Sequence, residues 1–379
     1  MIRTNIPPDD TFLSSLCYES ILLALKNELD FQKFKEDINN IINSKENYQI
    51  SSVGKNDYPF FTGSGKTLGL SNVYKIPALS SPQGDLIANC KILINGLQSN
   101  MINLNGIVIN WKVKGEEFTI GGKEITGLQI FKCDRYSGFT AANTDPYEQK
   151  TIYCSPEIAV LFLCGLISSF VVSVKEKQKQ SLYFLFFSSD EALRLYIKGD
   201  SRLLGKYFLI KDKAAEVLRE SYLRTRFNEV VLTELFLTLK IQELLNRYNL
   251  DKISFNLFKV VREGQTYKIY EQIPIVLYRK ITFKEVAERC FRNPDIFIRR
   301  LNKIFEEKEN ILWKALRSLN TDNKFDEADN TLRAMMYLYR FVILGDPQGY
   351  YQFIRELHNC YRKTENEAYK KILSELRVS

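Results

Sequence analysis

Histidine is almost absent from this 379-residue chain, in which His358 is the single copy. Histidine is the usual general base of nucleophilic triads and a common zinc ligand. Its scarcity excludes Ser-His-Asp catalysis, Cys-His catalysis and histidine-rich metal sites everywhere except at this one residue. The segment LHNCYRK predicts a helix in which His358 and Cys360, two positions apart, face different sides. We therefore expect no catalytic or metal-binding pair there.

Paired cysteine motifs are also missing. The seven cysteines are an odd number and contain no Cys-x-x-Cys spacing, a pattern typical of reduced thiols. The first residues, MIRTNIPPDD, lack the basic and apolar regions of a secretory signal. We therefore expect a reduced, cytoplasmic protein with no bound metal and no cofactor.

Low-complexity tracts and internal repeats are absent as well, which excludes a disordered or solenoid protein. Hydrophobic residues make up 45% of the chain and charged residues 26%, as in ordinary folded proteins. Aromatic side chains are plentiful, with 25 Phe and 21 Tyr. The chain is long enough for a well-buried aromatic core, in two domains or in one domain with a large appendage.

Positive charge is present in modest excess and is concentrated in the second half of the chain. The formal net charge is +8. Residues 198–280 carry 16 basic and 10 acidic side chains, and residues 281–379 carry 18 and 15. This bias suits contact with a polyanion such as a nucleic acid, although solvated helix faces rich in Lys and Arg are its commoner cause.

The N-terminal pattern mixes helices and strands. Apolar residues at three and four spacing predict helices over 12–29 and 31–44, and another in DLIANCKILINGLQSNM. The segments GIVINWKV, FTI and EITGLQIF then predict strands, with a hairpin turn at Gly121 and Gly122. Long loops are expected before and after this sheet region.

The run Ile158–Val174 holds 17 residues without a charge, the lower limit for a membrane span. Its three serines and the lack of a second such run favour a central buried helix. The following segment SLYFLFF predicts an interior strand against which that helix packs. We therefore expect no membrane contact.

The second half of the chain is mainly helical. A helical pattern covers residues 214–248, with a break near Asn228, and REGQ between two apolar segments predicts a β-hairpin at about 253–278. Capping signals predict the later helices, at Thr282 with Glu285, Asn293 with Pro294, Gly345 with Asp346 and Pro347, and Thr364 with Glu367. The predicted fold class is α+β, with antiparallel β-hairpins and long loops in domain 1–280 and a helical bundle at 281–379.

Residues 62–67 spell TGSGKT, the form in which many helicases write the loop that holds nucleotide phosphates. The motif's first glycine is replaced by Phe60, and the segment before it is too polar for the central strand that a P-loop needs. Gly69 and Pro77 limit any helix that follows. The six residues therefore match a P-loop motif, but the sequence on either side of them does not match the strand and helix that a P-loop requires.

The segment FLFFSSDEA resembles a strand that ends in the magnesium-binding carboxylate of such an enzyme. Two serines separate its apolar run from Asp190, and capping of a helix by Ser188 or Ser189 accounts for the same letters. A P-loop ATPase or helicase-like enzyme that uses Lys66 and Asp190 is therefore the alternative hypothesis, and catalytic residues are not expected.

Three segments combine cations with polar or aromatic side chains in the way that nucleic-acid contacts require. They are the TGSGKT loop, the loop 132–150 and the helical corner in RCFRNPDIFIRRLNK. The candidate nucleic-acid-binding residues are Lys55, Ser64, Lys66, Thr67, Lys132, Arg135, Asn143, Arg292, Arg299 and Arg300. The alternatives are ordinary connecting loops for the first two segments, and for the third a solvated face whose arginines pair with Glu285, Glu288 and Glu306.

The order of these parts, together with YCSPEIAVLFLCGLISSF, YFLFFSSDEALRLY and RAMMYLYRFVILGDPQGYYQFIRELHNC, resembles the large subunit of archaeal type I-A CRISPR interference (Cascade) complexes. The resemblance extends over most of the chain. It implies a non-enzymatic subunit that recognises the short target-adjacent motif, helps to open the duplex and holds the displaced strand. It also implies guide RNA, target DNA, the backbone and small subunits of the complex, and helicase and nuclease effector subunits as partners.

Overall fold

A computed structural model of the protein describes residues 2–46, 68–76, 86–114, 117–120, 127–128, 130, 133, 152–176, 179–225, 230–263, 266–279, 281–307, 310–320 and 325–376. The chain divides into two compact units, Met1–Leu209 with Ser254–Ile275, and Ile210–Ile253 with Val276–Ser379. The sequence predicted a division between residues 280 and 281. The contacts instead group Ile210–Ile253 with the C-terminal helices.

The first unit mixes helices and short strands in chain order. It contains β1 (Arg3–Thr4), α1 (Phe12–Lys26), α2 (Phe31–Glu46), α3 (Leu70–Val73), α4 (Leu86–Gly96), β2 (Val108–Ile109), β3 (Trp111–Lys114), β4 (Glu117–Ile120), β5 (Ile152–Cys154), α5 (Pro156–Ser169), β6 (Phe170–Glu176), β7 (Lys179–Phe187) and α6 (Ser189–Lys198). The boundary between the units crosses α7 (Ser201–Thr225), β8 (Lys252–Glu263) and β9 (Thr266–Tyr278).

Sheet topology confirms the predicted α+β class. The strands β6, β7, β8 and β9 form one sheet in that order, and the β6–β7 and β7–β8 pairs are antiparallel. The adjacent strands β8 and β9 are joined by two residues, as the predicted hairpin requires. Helix α1 packs on this sheet through Phe12, whose ring makes edge-on contacts with Phe184, Phe186 and Phe258 at centroid distances of 5.3–5.5 Å.

The predicted hairpin turn at Gly121 and Gly122 lies outside the described residues. The described antiparallel pair in this region is β3 with β4, from Trp111 opposite Ile120 to Lys114 opposite Glu117. Strand β5 then adds to β4 in parallel.

The prediction of a single helix over Ile158–Val174 was also wrong in part. Helix α5 ends at Ser169, and Phe170 begins strand β6 with extended backbone angles. The segment FVVSV is rich in β-branched residues, which favour a strand when a partner such as β7 is available. Within the described residues no helix is long and apolar enough to cross a membrane.

The end of α5 is held by Lys45, from the last turn of α2. Its side chain is 4% exposed, and its Nζ donates hydrogen bonds to the carbonyl oxygens of Ile167, Ser168 (3.1 Å) and Phe170 (2.7 Å). The hydroxyl of Ser168 donates in turn to the buried carboxylate of Glu19, at 3.0 Å. A buried ammonium thus satisfies carbonyl groups that the end of a helix leaves without partners.

Glycine allows α1 and α5 to approach closely. A Cβ atom at Gly165 would lie 2.1 Å from the Oγ atom of Ser20 and 3.2 Å from its Cα atom. The approach places Glu19 beside the end of α5, where Ser168 reaches it. Helices α1, α2 and α5 therefore meet at one buried polar point.

The second unit is helical. It contains α8 (Val230–Arg247), α9 (Ile281–Cys290), α10 (Pro294–Glu306), α11 (Ile311–Arg317), a 3₁₀ turn (Ser318–Asn320), α12 (Phe325–Val342), α13 (Pro347–Thr364) and α14 (Glu367–Leu376). Their apolar faces form one buried cluster with large aromatic side chains, among them Phe236, Phe297, Trp313 and Phe341. The predicted C-terminal helical region is therefore confirmed.

Of the four predicted caps in this unit, two are confirmed in position and two are wrong. Thr282 lies inside α9, which begins at Ile281, so it does not start a capping box before that helix. Pro294 opens α10, and Asp346 caps α13 by accepting a hydrogen bond from the backbone of Gln348. Thr364, predicted to begin a capping box, is the last residue of α13, where its hydroxyl donates to the carbonyl of Cys360. Asn366 caps α14 instead, since its Oδ1 atom accepts from the backbone of Ala368 at 3.0 Å.

We expect Lys45→Met to lower the free energy of unfolding by about 2 kcal/mol, because the buried carbonyl groups lose a charged donor that water cannot replace. Denaturant titration monitored by circular dichroism measures this loss. Lys35→Met is the matched control, since Lys35 also lies on α2 and donates to two carbonyl groups, of Asn95 and Leu97, but in a partly solvated position. Equal losses in the two variants would contradict the importance of burial.

Candidate nucleic-acid interface

The structure describes three of the ten predicted nucleic-acid-binding residues. These are Arg292, Arg299 and Arg300, all near the corner between α9 and α10 and all exposed. The predictions for the two loops concern residues outside the described parts of the chain: Lys55, Ser64, Lys66, Thr67, Lys132, Arg135 and Asn143. The candidate interface is therefore built from the helices of the second unit.

The corner forms because aromatic side chains hold both of its arms. Phe291, directly after α9, stacks on Phe297 of α10 with the ring centroids 4.0 Å apart and the planes at 19°. Pro294 occupies the first turn of α10, where a missing N–H group costs no helical hydrogen bond. The chain turns between these rings, and Arg292 lies in the turn with its side chain exposed.

The amphipathic pattern of α10 places its cations on the outside. Phe297, Leu301, Ile304 and Phe305 are buried, whereas the basic residues of the helix, Arg299, Arg300 and Lys303, are exposed. Arg299 and Lys303 are four residues apart and share one face. Arg292 is not part of this helical face, because it precedes the first residue of α10.

Four exposed cations of the corner lack carboxylate partners within the described residues: Arg289, Arg292, Arg299 and Lys303. Arg299 donates from Nε to the carbonyl of Asp295 in its own helix, at 3.3 Å. Glu306, one of the partners that a merely solvated face requires, pairs instead with Lys240 at 2.5 Å. The corner therefore presents positive charge that the described carboxylates do not neutralise through ion pairs.

Arg300 differs from its neighbours because its guanidinium has a structural partner. The Nη1 atom donates to the carbonyl oxygen of Glu375, at 3.1 Å, in the last turn of α14. A cation at the carboxyl end of a helix satisfies an unpaired carbonyl and favours the helix dipole. Arg300 therefore joins α10 to α14, which helical spacing within α10 could not reveal.

We expect Arg300→Ala to lower the Tm by about 1–2 °C, because the end of α14 loses a donor and a favourable charge. Differential scanning calorimetry checks this shift. Arg299→Ala is the matched control, since within the described residues Arg299 bonds only to Asp295 of its own helix and its removal is expected to leave the Tm unchanged. Identical Tm values for the two variants would remove the structural role from Arg300.

Asp190, the second residue of the alternative ATPase hypothesis, lies in the first turn of α6 and is exposed. Ser188 caps this helix by accepting a hydrogen bond from the backbone of Glu191, as the sequence predicted. The carboxylate of Asp10 accepts a second bond from the backbone of Ser189 at 2.8 Å. Two backbone N–H groups at the start of α6 are thus already bound by side chains of the protein. Lys66 lies outside the described residues.

Glu191 has a structural role in the same segment. Its side chain is 3% exposed and accepts a hydrogen bond from Nε of Arg194 at 3.0 Å. Arg194 also donates to the hydroxyl of Tyr207. Within the first turn of α6, Asp190 is therefore exposed to solvent, whereas the buried carboxylate of Glu191 pairs with the exposed Arg194, in agreement with helix capping.

The fold does not place any of the seven cysteines as a reactive nucleophile. Six of the seven free cysteines are buried, and Cys290 is half-buried. Burial raises the pKa of Cys17 to about 12 and also raises the pKa of Cys154, Cys164 and Cys360. These thiols therefore stay protonated and weakly reactive.

His358 and Cys360 do not form a pair. Cys360 is buried beside Thr331, with their Sγ and Oγ1 atoms 3.7 Å apart, whereas His358 is half-buried. Thr331 also contacts the hydroxyl of Tyr369 at 3.2 Å, and that hydroxyl donates to Glu327. This buried network joins α12, α13 and α14. The described residues contain no cluster of three or more His, Cys, Asp or Glu side chains that could hold a metal ion.

Sequence reasoning missed one side of the corner, the exposed face of α13. Tyr351, Arg355, His358 and Arg362 follow one another at spacings of four, three and four, opposite buried Phe353, Leu357 and Cys360. The signal was present in GYYQFIRELHNCYRK as a helical period of aromatic and basic residues. Clusters of arginines alone do not reveal this periodic face.

The chain is 39% identical, over 376 residues, to an uncharacterized protein of Archaeoglobus fulgidus. The alignment covers 97% of this chain and 94% of that relative. No family model and no solved structure matches the chain. The two proteins therefore correspond over nearly their whole lengths.

Proposed function

This chain belongs to the same family as the Archaeoglobus fulgidus protein, and we propose that it is a non-enzymatic nucleic-acid-binding subunit of a CRISPR RNA-guided DNA-targeting complex. In this role it acts in the cytoplasm in antiviral defence. It recognises the target-adjacent motif, stabilises the opened duplex and recruits helicase and nuclease partners. The archaeal source of the relative agrees with the archaeal complexes that the sequence resembles.

The observation that carries the proposal is the exposed positive charge of the corner between α9 and α10. Arg292 and Arg299 are exposed and have no carboxylate partner within the described residues. Ion pairs on a solvated surface contribute little stability, so these arginines are available to other anions. A phosphate backbone is the polyanion that neutralises such a surface, and it does so with release of counterions.

A modest net charge fits a subunit rather than an independent DNA-binding protein. In RNA-guided complexes the guide supplies sequence recognition by base pairing, and the protein contacts the backbone and a short adjacent motif. The helices of the second unit have further exposed surface for protein partners. The backbone and small subunits of the complex, together with guide RNA and target DNA, are the partners that the proposal requires.

We expect the double variant Arg292→Ala with Arg299→Ala to bind DNA more weakly and with a weaker dependence on salt. The slope of the logarithm of the binding constant against the logarithm of salt concentration should fall by about 2, or about 1 for each phosphate contact. Fluorescence anisotropy with a labelled DNA duplex at several salt concentrations measures the slope.

The control for this prediction is Arg247→Ala with Arg333→Ala. It removes the same charge, but these arginines pair with Glu243 at 2.7 Å and with Asp329 at 2.9 Å. We expect its salt slope to equal that of the unmodified chain. If the two double variants change the slope by the same amount, net charge rather than the corner is responsible.

Purification from native cells tests the assignment to an RNA-guided complex. The affinity-tagged full-length chain should retain a small RNA with repeat-derived ends, together with the other subunits of the complex. Sequencing of the RNA and mass spectrometry of the proteins identify them. Recovery of the chain without such an RNA and without those subunits would exclude the proposed role.

A further inference from the structure

An exposed aromatic ring lies beside the basic corner. The side chain of Tyr351, near the start of α13, is 61% exposed. Its ring centroid lies 5.9 Å from that of Tyr350, and the two planes meet at 66°. Large aromatic side chains are usually buried, so an open ring at a charged surface is a candidate contact.

Tyr350 connects this ring to the corner. Its ring is packed edge-on against Phe291 at 4.8 Å and against Phe297 at 5.4 Å. Its hydroxyl donates to the carbonyl oxygen of Leu376 at 3.0 Å. Burial raises the pKa of Tyr350 to about 12, so the hydroxyl keeps its proton and this hydrogen bond. Tyr351 is therefore two ring contacts away from Phe291, the residue that precedes Arg292.

The backbone beneath Tyr351 is fixed by close packing of α13 on α12. A Cβ atom at Gly349 would lie 2.5 Å from the carbonyl oxygen of Tyr337 and 2.7 Å from the backbone nitrogen of Phe341. Only glycine allows this approach. The ring of Tyr351 is thus presented from a rigid helix, which limits the conformational entropy that it loses on binding a ligand.

Exposed cations occur next to Phe291 and on the face of α13 that carries Tyr351. Arg292 directly follows Phe291, whose ring contacts Tyr350, and has no carboxylate partner in the described structure. Arg355 is one turn further along α13, on the same face as Tyr351. Its guanidinium is 63% exposed and lies 3.6 Å from the carboxylate of Glu356, a loose contact that leaves its other donors open to solvent.

We propose that Tyr351 is a base-stacking residue for single-stranded nucleic acid, with Arg292 and Arg355 on the phosphates to either side. An aromatic face between cations is the combination by which single strands bind without sequence preference. Bases in a closed duplex are stacked on one another and do not offer a free face. This inference rests on the proposed function and adds to it a residue, Tyr351, that contacts the bases of an unpaired strand.

We expect Tyr351→Ala to weaken binding of a labelled thymidine oligonucleotide by about ten- to a hundredfold, the effect of removing one stacked base. Binding of a duplex of the same length should change less than twofold. The salt slope should stay unchanged because no phosphate contact is lost. Tyr351→Phe should retain the affinity, and Tyr351→Leu, which keeps apolar area but has no aromatic face, should lose it. Fluorescence anisotropy with the full-length chain measures all of these constants.

Tyr278→Ala is the matched control, because Tyr278 is 53% exposed and is the last residue of a different element, β9, next to an arginine that is paired with Asp251. It should bind both oligonucleotides like the unmodified chain. Normal single-strand binding by Tyr351→Ala overturns the inference, and so does an equal loss for duplex and single strand. If Arg292→Ala with Arg299→Ala still weakens binding in that case, the proposed function survives. Failure of the unmodified chain to bind either oligonucleotide overturns both.

Discussion

The first unit depends on the buried ammonium group of Lys45. The apolar run that forms α5 and β6 changes from helix to strand at Phe170, and a helix that ends inside a core leaves carbonyl groups without donors. Lys45 supplies those donors from α2, while Glu19 on α1 receives the hydroxyl of Ser168. The change of secondary structure is thus possible in the interior, and β6 can pair with β7 at the centre of the unit. An apolar residue in place of Lys45 has no donor for these carbonyl groups.

Some charged side chains of the second unit have structural partners, and others are exposed without a carboxylate partner among the described residues. The guanidinium of Arg300 is bound to the end of α14. The carboxylate of Glu306 is paired with Lys240, so it does not neutralise the arginines of the corner. Arg292 and Arg299 keep their charge exposed. The difference between paired and exposed arginines arises from tertiary packing. The packing of α9, α10, α13 and α14 brings Arg300 to a carbonyl group and leaves Arg292 and Arg299 exposed to solvent.

Periodic and capping signals in the sequence predicted much of the fold. Helices α1 and α2, strand β7, the β8–β9 pair and the cap at Asp346 follow from local patterns that the tertiary structure does not oppose. The strand at FVVSV was missed because an apolar run fits a buried helix and a buried strand equally well until its pairing partner is known. The cap at Asn366 was missed because Thr364 and Glu367 have the right spacing, while α13 extends over Thr364.

The candidate site was less predictable from sequence than the fold. Arginines in RCFRNPDIFIRRLNK were visible, but the partner of Arg300, the carbonyl oxygen of Glu375, lies 75 residues further along the chain. The importance of Tyr351 depends on Tyr350 meeting Phe291 across a helical corner, a contact between distant parts of the chain. Helical spacing predicts which residues share one face of one helix. A surface formed by α9, α10 and α13 together depends on how these helices pack against one another, which the spacing does not show.

The last turn of α14 is held by two donors, Arg300 and the hydroxyl of Tyr350, and both sit at the edge of the proposed interface. A substitution at either position changes the fold and the binding surface together. In evolutionary terms such positions are constrained twice, so this corner is expected to diverge more slowly than an interface built from side chains with no structural partner. In the described structure Arg292, Arg299 and Tyr351 do not hold the end of α14, so under the proposed function substitutions at these three positions change the binding surface without loosening that helix.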